Sequence, residues 1–164
     1  MQKIANPHDG LLSYQQALSR AAIAPVPCTL YSELTLLMDQ ANGENRLTYA
    51  LVENGVVKAT VVYLMADPYK GLPCFQVGYA VAEPFRNQGL AAKTVEKTIE
   101  EMRHGFRNQM PRFYVEAVVA QNNLVSNKVA EKVFQAQPEL IKDDASGEPA
   151  FQYLRLVGVA AAVA

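Results

Sequence analysis

The sequence is poor in several features that would assign a protein to a class at once. It contains only two cysteines, Cys28 and Cys74, which lie far apart and show no Cys-x-x-Cys spacing. A disulfide framework or a zinc site is therefore not expected, and both cysteines are interpreted as reduced core residues. The formal net charge is only −1. Without a basic surplus, nothing indicates a nucleic-acid partner.

Long apolar runs are also missing. The first residues lack the apolar core of a signal peptide, and no uncharged run approaches the roughly 20 residues that a membrane helix requires. We therefore expect a cytoplasmic protein with no membrane partner. The final segment, 157–164, is apolar but too short to span a bilayer. It either extends the last strand, packs against a partner in a homodimer, or is disordered.

What remains is an ordinary globular composition over 164 residues, with no internal repeat and no low-complexity linker. This predicts one domain, residues 1–164. Apolar residues at helical spacing predict an N-terminal helix within 11–24, which Pro25 and Pro27 stop. A second helix is predicted from the spacing of Tyr31, Leu34, Leu37 and Met38, with Asn42-Gly43 at its end.

Strand patterns follow. Two β-branched runs, 47–52 and 56–65, flank Glu53-Asn54-Gly55, and Asn-Gly is the favoured pair for a tight hairpin turn. Residues 67–71 are predicted as a loop. Further strands are predicted at 75–81 and 112–119, and a terminal hairpin at 139–142 and 151–157 with its turn at 144–147.

Two more helices are predicted between these strands. The first carries an apolar stripe of Ala92, Val95, Ile99 and Met102 and ends at Gly105. The second carries a stripe formed by Val125, Val129 and Val133, with Ala130 and Phe134 beside them. Strands interleaved with helices in this order predict a mixed α/β or α+β sheet.

The most informative segment is Val81-Ala-Glu-Pro-Phe-Arg86-Asn-Gln-Gly89-Leu-Ala91. An apolar strand ends at Pro84, a loop with Gly89 follows, and a helix pattern begins at once. This order directs backbone N–H groups and the positive end of a helix dipole at one spot, which favours phosphate. The sequence has neither the Gly-Lys-Ser/Thr of a Walker loop nor the Gly-x-Gly-x-x-Gly of a dinucleotide fold.

A second segment lies one helix and one strand further along. After the strand Tyr114-Val-Glu-Ala-Val comes Asn123-Leu-Val-Ser126-Asn-Lys-Val-Ala-Glu131-Lys132. Together with Arg86-x-x-Gly89-x-Ala91, it resembles the GNAT superfamily of acetyltransferases, in particular the ribosomal-protein N-terminal acetyltransferase-like branch (RimJ/RimL type). The resemblance covers about residues 74–134. It implies a mostly antiparallel, splayed sheet of about six to seven strands with about four helices.

The resemblance also implies acetyl-CoA as co-substrate, with no metal. Its diphosphate is expected on the amides that start the helix, where Gly89 permits close approach and Arg86 adds a charged contact. A bulge in the preceding strand is expected to free the Val81 N–H for the thioester carbonyl. The residues implied to contact the cofactor are Val81, Ala82, Arg86, Asn87, Gln88, Gly89, Leu90, Ala91, Asn123 and Ser126.

Plainer interpretations of these residues stay open. Gly89 is also suited to begin a helix, and Asn123 is a good N-cap by residue type alone. Arg86 and Ser126 are equally compatible with solvent-facing positions.

The catalytic pattern departs from the family. Acetyl transfer to an amine requires a proton acceptor. Many relatives carry Glu ten residues before the Arg86 position, but here Gln76 stands there, which positions a water without taking its proton. The tyrosine acid that many other GNAT proteins carry on the second motif helix is replaced by Ala130. Glu116, on the strand beside the expected cleft, and Glu83, at the loop, are the remaining candidate bases.

The aromatic and histidine candidates are weaker. Tyr79 is interpreted as a core or cleft-lining residue in preference to a general acid. His8 and His104 have no motif around them, and His104 suits the C-terminal end of a helix dipole. The catalytic candidates are therefore Glu116, Gln76 and, through its backbone, Val81.

The sequence thus predicts an N-acetyltransferase that uses acetyl-CoA to acetylate a primary amine by direct attack in a ternary complex. Either a protein N-terminal α-amine or a small-molecule amine fits as acceptor. Because Gln76 and Ala130 replace expected catalytic types, an acyl-CoA-binding sensor or interaction module is the alternative. A structural domain with a fortuitous loop is a third reading, and it predicts no CoA binding.

Overall fold

The structure, a computed structural model, describes residues 6–158 and contains three α-helices and one eight-stranded sheet in that range. The helices are α1 (Pro7–Ser19), α2 (Leu90–Gly105) and α3 (Leu124–Phe134). The strands are β1 (Val26–Pro27), β2 (Leu34–Ala41), β3 (Glu44–Glu53), β4 (Val56–Tyr69), β5 (Leu72–Val81), β6 (Arg112–Ala120), β7 (Glu139–Lys142) and β8 (Pro149–Gly158). The predicted mixed fold is confirmed, with one helix fewer and one strand more than expected.

The sheet has the order β1-β2-β3-β4-β5-β6-β8-β7, and its pairs are antiparallel except for β5 and β6. A parallel pair needs a long crossover between its strands, and α2 provides it. The following helix, α3, leads from β6 to the β7–β8 hairpin. The two motif segments therefore flank the one parallel pair.

Helices cover both faces of the sheet. The main core lies under α2 and α3, where strand residues such as Tyr63, Phe113 and Tyr153 pack against Val95 and Ile99. A smaller core lies under α1 on the other face. Because side chains alternate along a strand, each strand supplies residues to both faces.

The second N-terminal helix predicted from Tyr31, Leu34, Leu37 and Met38 is wrong. The segment from Leu34 forms β2, which pairs with β3 over eight residues. Asn42 and Gly43 have φ values of 52° and 81° and form the hairpin turn instead of a helix end. Apolar spacing over eight residues suits either a helix or a strand, and pairing with β3 decides the outcome.

The hairpin at Asn54-Gly55 is confirmed, with φ values of 53° and 77° at the two turn residues. The predicted loop at 67–71 is wrong, since β4 continues to Tyr69 before a turn at Lys70-Gly71. Pro68 is tolerated because the register with β5 shifts between Ala66 and Tyr69. A proline cannot donate a ladder hydrogen bond, so it lies at such an irregularity.

The stripe predicted for α3 is wrong at one position. Val125 is 77% exposed, whereas Asn127, Ala130 and Val133 are buried on the face toward the sheet. The stripe of α2 and the strands at 75–81 and 112–119 are confirmed, as is the terminal hairpin.

Other expectations concern thiols and membrane helices. Cys28 and Cys74 are both free, and burial raises the pKa of each thiol to about 12. Within residues 6–158, no helix is long and apolar enough to cross a membrane. The predictions made for the apolar tail fall largely on residues 159–164, which lie outside the described part of the chain.

A buried carboxylate joins the first strands to α2. Glu101 is 7% exposed and accepts the backbone N–H groups of Thr29 at 3.2 Å and Tyr31 at 2.8 Å, together with that of Leu30. Glu101→Ala would remove the acceptor that these three N–H groups share, and a hydrogen bond to a charged group contributes about 1.5–3 kcal/mol. We expect Glu101→Ala to lower the free energy of unfolding in urea by about 2 kcal/mol or more. Glu100→Ala, one position earlier on α2, is the control, and equal losses in both variants would contradict the assignment.

Candidate functional site

The sheet opens between β5 and β6. The two strands pair only at Cys74–Gln76 with Tyr114–Glu116, while β5 stays paired to β4 as far as Val81. Beyond Gln76 the strands diverge and leave a cleft of about 890 Å³. It is lined by Asn6, Pro7, His8, Gln76, Val77, Gly78, Tyr79, Ala80, Val81, Phe85, Arg86, Asn87, Gly89, Leu90, Ala91, Ala92, Ala117, Val118, Val119, Ala120, Asn123, Val125, Ser126, Lys128, Val129 and Lys132.

One end of the cleft is the start of α2. Gly89 is the N-cap, in left-handed conformation with φ 70°, and no side chain caps the helix. Asn87 also has a positive φ, 63°, so the loop turns sharply into the helix. The first-turn N–H groups have no intrahelical acceptor. Together with the helix dipole they form an anion cradle.

The backbone of β5 contributes N–H groups to the cleft, because successive amides point to opposite sides of the strand. The Ala82 N–H donates to the Lys58 carbonyl on β4 at 2.9 Å. Successive amides along a strand face opposite sides, so the Val81 N–H faces away from β4, toward the gap left by β6. The register with β4 runs without a shift from Cys74 to Val81. The expected bulge is therefore absent from this stretch, and splaying of the strands directs the Val81 amide into the cleft instead.

Ala82 does not line the cleft. Its N–H is used by Lys58, and its carbonyl accepts the Phe85 N–H at 2.9 Å in a single 3₁₀ turn, Glu83–Phe85. The structure therefore does not support Ala82 as a backbone partner for a ligand. Gln88 is exposed on the loop and is likewise absent from the lining. Glu83 is also exposed and does not line the cleft.

Arg86 lies at the rim and folds back onto the protein. Its Nε donates to the Val81 carbonyl at 3.1 Å, and its Nη2 lies 3.1 Å from Nδ1 of His8. His8 comes from the first turn of α1 and has no sequence motif around it. The guanidinium is thus placed beside the cradle while its observed contacts are within the protein.

The other wall of the cleft is α3. Asn123 is its N-cap, and its Oδ1 accepts the Ser126 N–H at 3.1 Å. Helix capping was the simpler of the two roles considered for Asn123. Both residues also line the cleft. The Tyr79 hydroxyl crosses to α3, 2.8 Å from the Ser126 carbonyl oxygen and 2.9 Å from Ser126 Oγ. Burial raises the pKa of the Tyr79 phenol to about 12, a shift that the Ser126 hydrogen bond partly offsets.

The last parallel pair, Gln76 and Glu116, lies where the strands separate. Gln76 lines the cleft, whereas Glu116 is 8% exposed and does not. The Gln152 amide Nε2 donates to Glu116 Oε2 at 2.7 Å, and Glu116 Oε1 is buried without a hydrogen-bond partner. A buried unpaired carboxylate oxygen is costly unless a further donor approaches it.

The charged side chains among the described lining residues of the cleft are all cationic. Arg86, Lys128 and Lys132 line it, and none of the described lining residues is Asp or Glu. Lys128 and Lys132 are four residues apart and therefore share one face of α3. Sequence reasoning missed both, although a basic i, i+4 pair beside the Asn-x-x-Ser start was a usable signal. A site with this charge suits a polyanion.

These features have a known counterpart. The sequence profile of the Acetyltransferase (GNAT) family matches residues 13–134, most of the chain. The chain belongs to the GNAT family. This confirms the resemblance that the two motif segments indicated. No curated protein sequence shows a significant match.

Solved structures share the fold of this GNAT chain at low sequence identity. RimL, a ribosomal L7/L12 α-N-protein acetyltransferase solved with coenzyme A, is 17% identical with a TM-score of 0.53, covering 70% of this chain and 64% of its own. A Salmonella typhimurium acetyltransferase that modifies the N-terminal serine of L7/L12 is 18% identical, with a TM-score of 0.52 and coverages of 68% and 64%. Mycobacterium smegmatis RimJ, solved with a CoA disulfide, is 16% identical, with a TM-score of 0.52 and coverages of 91% and 60%. The chain thus spans less than two thirds of each of these proteins.

Gly89 provides a test of the cradle. A Cβ at Gly89 meets no atom within 4 Å, so Gly89→Ala causes backbone strain without a clash, at about 1–2 kcal/mol for a left-handed alanine. If the amides hold a diphosphate, the methyl group obstructs its approach. We expect acetyl-CoA affinity, measured by calorimetry, to fall at least tenfold.

Gly43→Ala is the matched control for that variant. Gly43 has φ 81° and also no atom within 4 Å of an added Cβ, but it lies in the β2–β3 turn. Both variants are expected to lose similar stability, and only Gly89→Ala to lose affinity. Equal affinities in the two variants would rule out the cradle as the diphosphate site.

Proposed function

We propose that this GNAT protein transfers the acetyl group of acetyl-CoA to a primary amine, either the N-terminal α-amine of a protein or a small-molecule amine, within a ternary complex. The observation that carries the proposal is the acid-free, cationic cleft that ends on the uncapped start of α2. Coenzyme A is a polyanion with a diphosphate and an extended amide-containing arm. The cleft provides cations for the negative charge, helix amides for the diphosphate and an unpaired strand edge for the arm.

Each part of the ligand has residues suited to hold it. The amides from Gly89 to Ala91 suit the diphosphate, with Arg86 beside them once it releases His8. Lys128 and Lys132 suit a further phosphate group. The β5 edge at Val81 suits the amides of the pantetheine arm, and its N–H suits the thioester oxygen, where one such donor contributes about 3 kcal/mol.

The proton acceptor is assigned to Glu116. Its Oε1 has no partner, and the hydrogen bond from Gln152 holds the other oxygen, so the carboxylate is fixed on the closed part of the strand pair, opposite Gln76. Gln76, its neighbour across the strand pair, lines the cleft and can position a water. Because Gln76 lies five residues from Val81, about 17 Å along β5, the proton leaving the attacking amine reaches Oε1 through a chain of waters along the cleft.

The preferred acceptor follows from the fold relatives. RimL and the Salmonella protein act on the N-terminus of a ribosomal protein, which makes a peptide α-amine the first acceptor to test. A panel that combines N-terminal peptides with small amines, assayed by mass spectrometry with acetyl-CoA, tests the proposal. Acetyl-CoA binding without turnover on any amine would favour the sensor instead, and absence of binding would exclude both.

One observation favours the non-catalytic alternative. Glu116 is only 8% exposed, and Gln76, opposite it on β5, has no basic group. A sensor needs the cleft and its cations but no base. Variation at Glu116 therefore separates the two functions.

Glu116→Gln keeps the shape of the side chain and removes the base. We expect kcat to fall by roughly 10²–10⁴, the usual contribution of general base catalysis, with acetyl-CoA affinity unchanged. Steady-state kinetics on the best amine of the panel and calorimetry measure the two quantities. Glu44→Gln, an exposed residue in the β2–β3 hairpin, is the control and should behave as wild type. A kcat within twofold of wild type in Glu116→Gln would exclude Glu116 as the base.

A further inference from the structure

Two side chains from different elements meet at one edge of the cleft. Arg86, from the loop before α2, donates from Nε to the Val81 carbonyl at 3.1 Å, and its Nη2 lies 3.1 Å from Nδ1 of His8 on α1. Both Arg86 and His8 line the cleft. Arginine is always charged and only donates hydrogen bonds, so Nδ1 of His8 is the acceptor in this contact. The contact therefore assigns a neutral imidazole with its proton on Nε2.

The Val81 carbonyl that Arg86 contacts belongs to the edge of β5 that faces the cleft. The Ala82 N–H donates to the Lys58 carbonyl on β4. The N–H and C=O of one trans peptide group point in opposite directions, so the Val81 carbonyl faces away from β4. A strand-like ligand arm that pairs with this edge uses the same carbonyl as an acceptor. Arg86 in its present position therefore competes with such an arm and contacts no phosphate at the start of α2.

His8 is the fixed partner of the two. It lies in the first turn of α1, where its backbone N–H donates to Oδ1 of the N-cap Asn6 at 2.9 Å. Leu11 and Tyr14 of the same helix are buried against the sheet. Arg86 is exposed at the end of a 3₁₀ turn and has a long side chain with several rotatable bonds. When the contact is lost, the guanidinium is therefore the group that moves.

Protonation of His8 removes the contact. Histidine is the side chain whose charge ordinarily changes between pH 5 and 8. A charged imidazole carries N–H groups at both ring nitrogens, so Nδ1 no longer accepts a hydrogen bond from Arg86. Two positive charges would then lie 3.1 Å apart, and like charges at this distance repel.

Other charged groups lie on the elements around this contact. Asp9 follows His8 on α1, Glu83 is exposed in the 3₁₀ turn, and Lys58 on β4 is paired with Glu53. Every variant described below retains these four residues. Differences between the variants therefore report on His8 and its contact, and not on the neighbouring charges.

From these contacts we propose that His8 is a positioning residue for Arg86. Neutral His8 holds the guanidinium on the Val81 carbonyl, and charged His8 releases it toward a diphosphate at the start of α2. The inference rests on the proposed use of acetyl-CoA. Proton binding at His8 and diphosphate binding beside Arg86 favour each other, so affinity for the cofactor rises as the pH falls.

The first test measures binding by calorimetry from about pH 8.5 to about pH 5.5, the range that spans ordinary histidine titration. The ligand is dephospho-CoA, because it lacks the phosphate monoester of CoA, which itself titrates near pH 6. Wild-type affinity should rise about fivefold over this range, the factor that one ordinary hydrogen bond contributes. Binding should also take up a fraction of a proton, measured from the dependence of the heat on the ionisation enthalpy of the buffer.

Two substitutions at His8 should change the affinity in different ways. His8→Asn keeps an acceptor near the position of Nδ1 but cannot gain a proton, so its affinity should stay at the high-pH wild-type value throughout. His8→Ala removes the acceptor and frees Arg86, so its affinity at high pH should exceed that of wild type about fivefold. Neither variant should take up a proton. In an Arg86→Met background, His8→Ala should have no effect, because the group that His8 holds is gone.

His104→Ala is the matched control. His104 is the second histidine of the chain, and its Nε2 lies 3.4 Å from Nη1 of Arg107, but it lies at the other end of α2 and does not line the cleft. This variant should keep both the pH dependence and the proton uptake of wild type. Circular dichroism at each pH establishes that all variants are folded.

Failure of the inference and failure of the proposed function give different results. If wild type binds neither dephospho-CoA nor acetyl-CoA at any pH, use of the cofactor is excluded. If wild type binds with the same affinity at every pH, or if His8→Asn and His8→Ala bind alike, only the role of His8 is excluded. If acetyl-CoA binds and dephospho-CoA does not, the comparison of His8→Asn with His8→Ala on acetyl-CoA decides, since both variants meet the same ligand charge.

Discussion

The site depends on one incomplete parallel strand pair. β5 and β6 are bonded for three residues and then separate, and the main core lies on the face of the sheet that α2 and α3 cover. A parallel pair needs a crossover helix, and that helix starts at the open end of the strands. The cleft, the helix amides and the free edge of β5 therefore arise together from one topological feature.

Separation of the strands also determines where charges lie. The cleft takes its cations from α3 and from the loop before α2, whereas Glu116 lies opposite Gln76 on the part of the strand pair that remains closed. Gln152 on β8 donates to Glu116, so a third strand contacts the closed part of the β5–β6 pair.

Much of the site was predictable because its signals are local. Gly89 begins α2 with an uncapped first turn, and Asn123 begins α3, as strand–loop–helix order and N-cap chemistry indicated. Non-local features were predicted less well. The segment from Leu34 has a spacing that suits a helix, yet pairing with β3 makes it a strand. Ala82 matched the family position, but its N–H is bonded to Lys58, which is distant in sequence.

The sequence by itself determined the family, the order of most elements and the position of the loop that begins α2, since each depends on neighbours within one helix or strand. Only the tertiary structure decided which groups meet. The Tyr79 hydroxyl reaches Ser126 across 47 positions and Gln152 reaches Glu116 across 36. It also showed that splaying, and not a bulge, turns the Val81 amide toward the cleft. Strand register sets these contacts, and register depends on packing of the whole sheet.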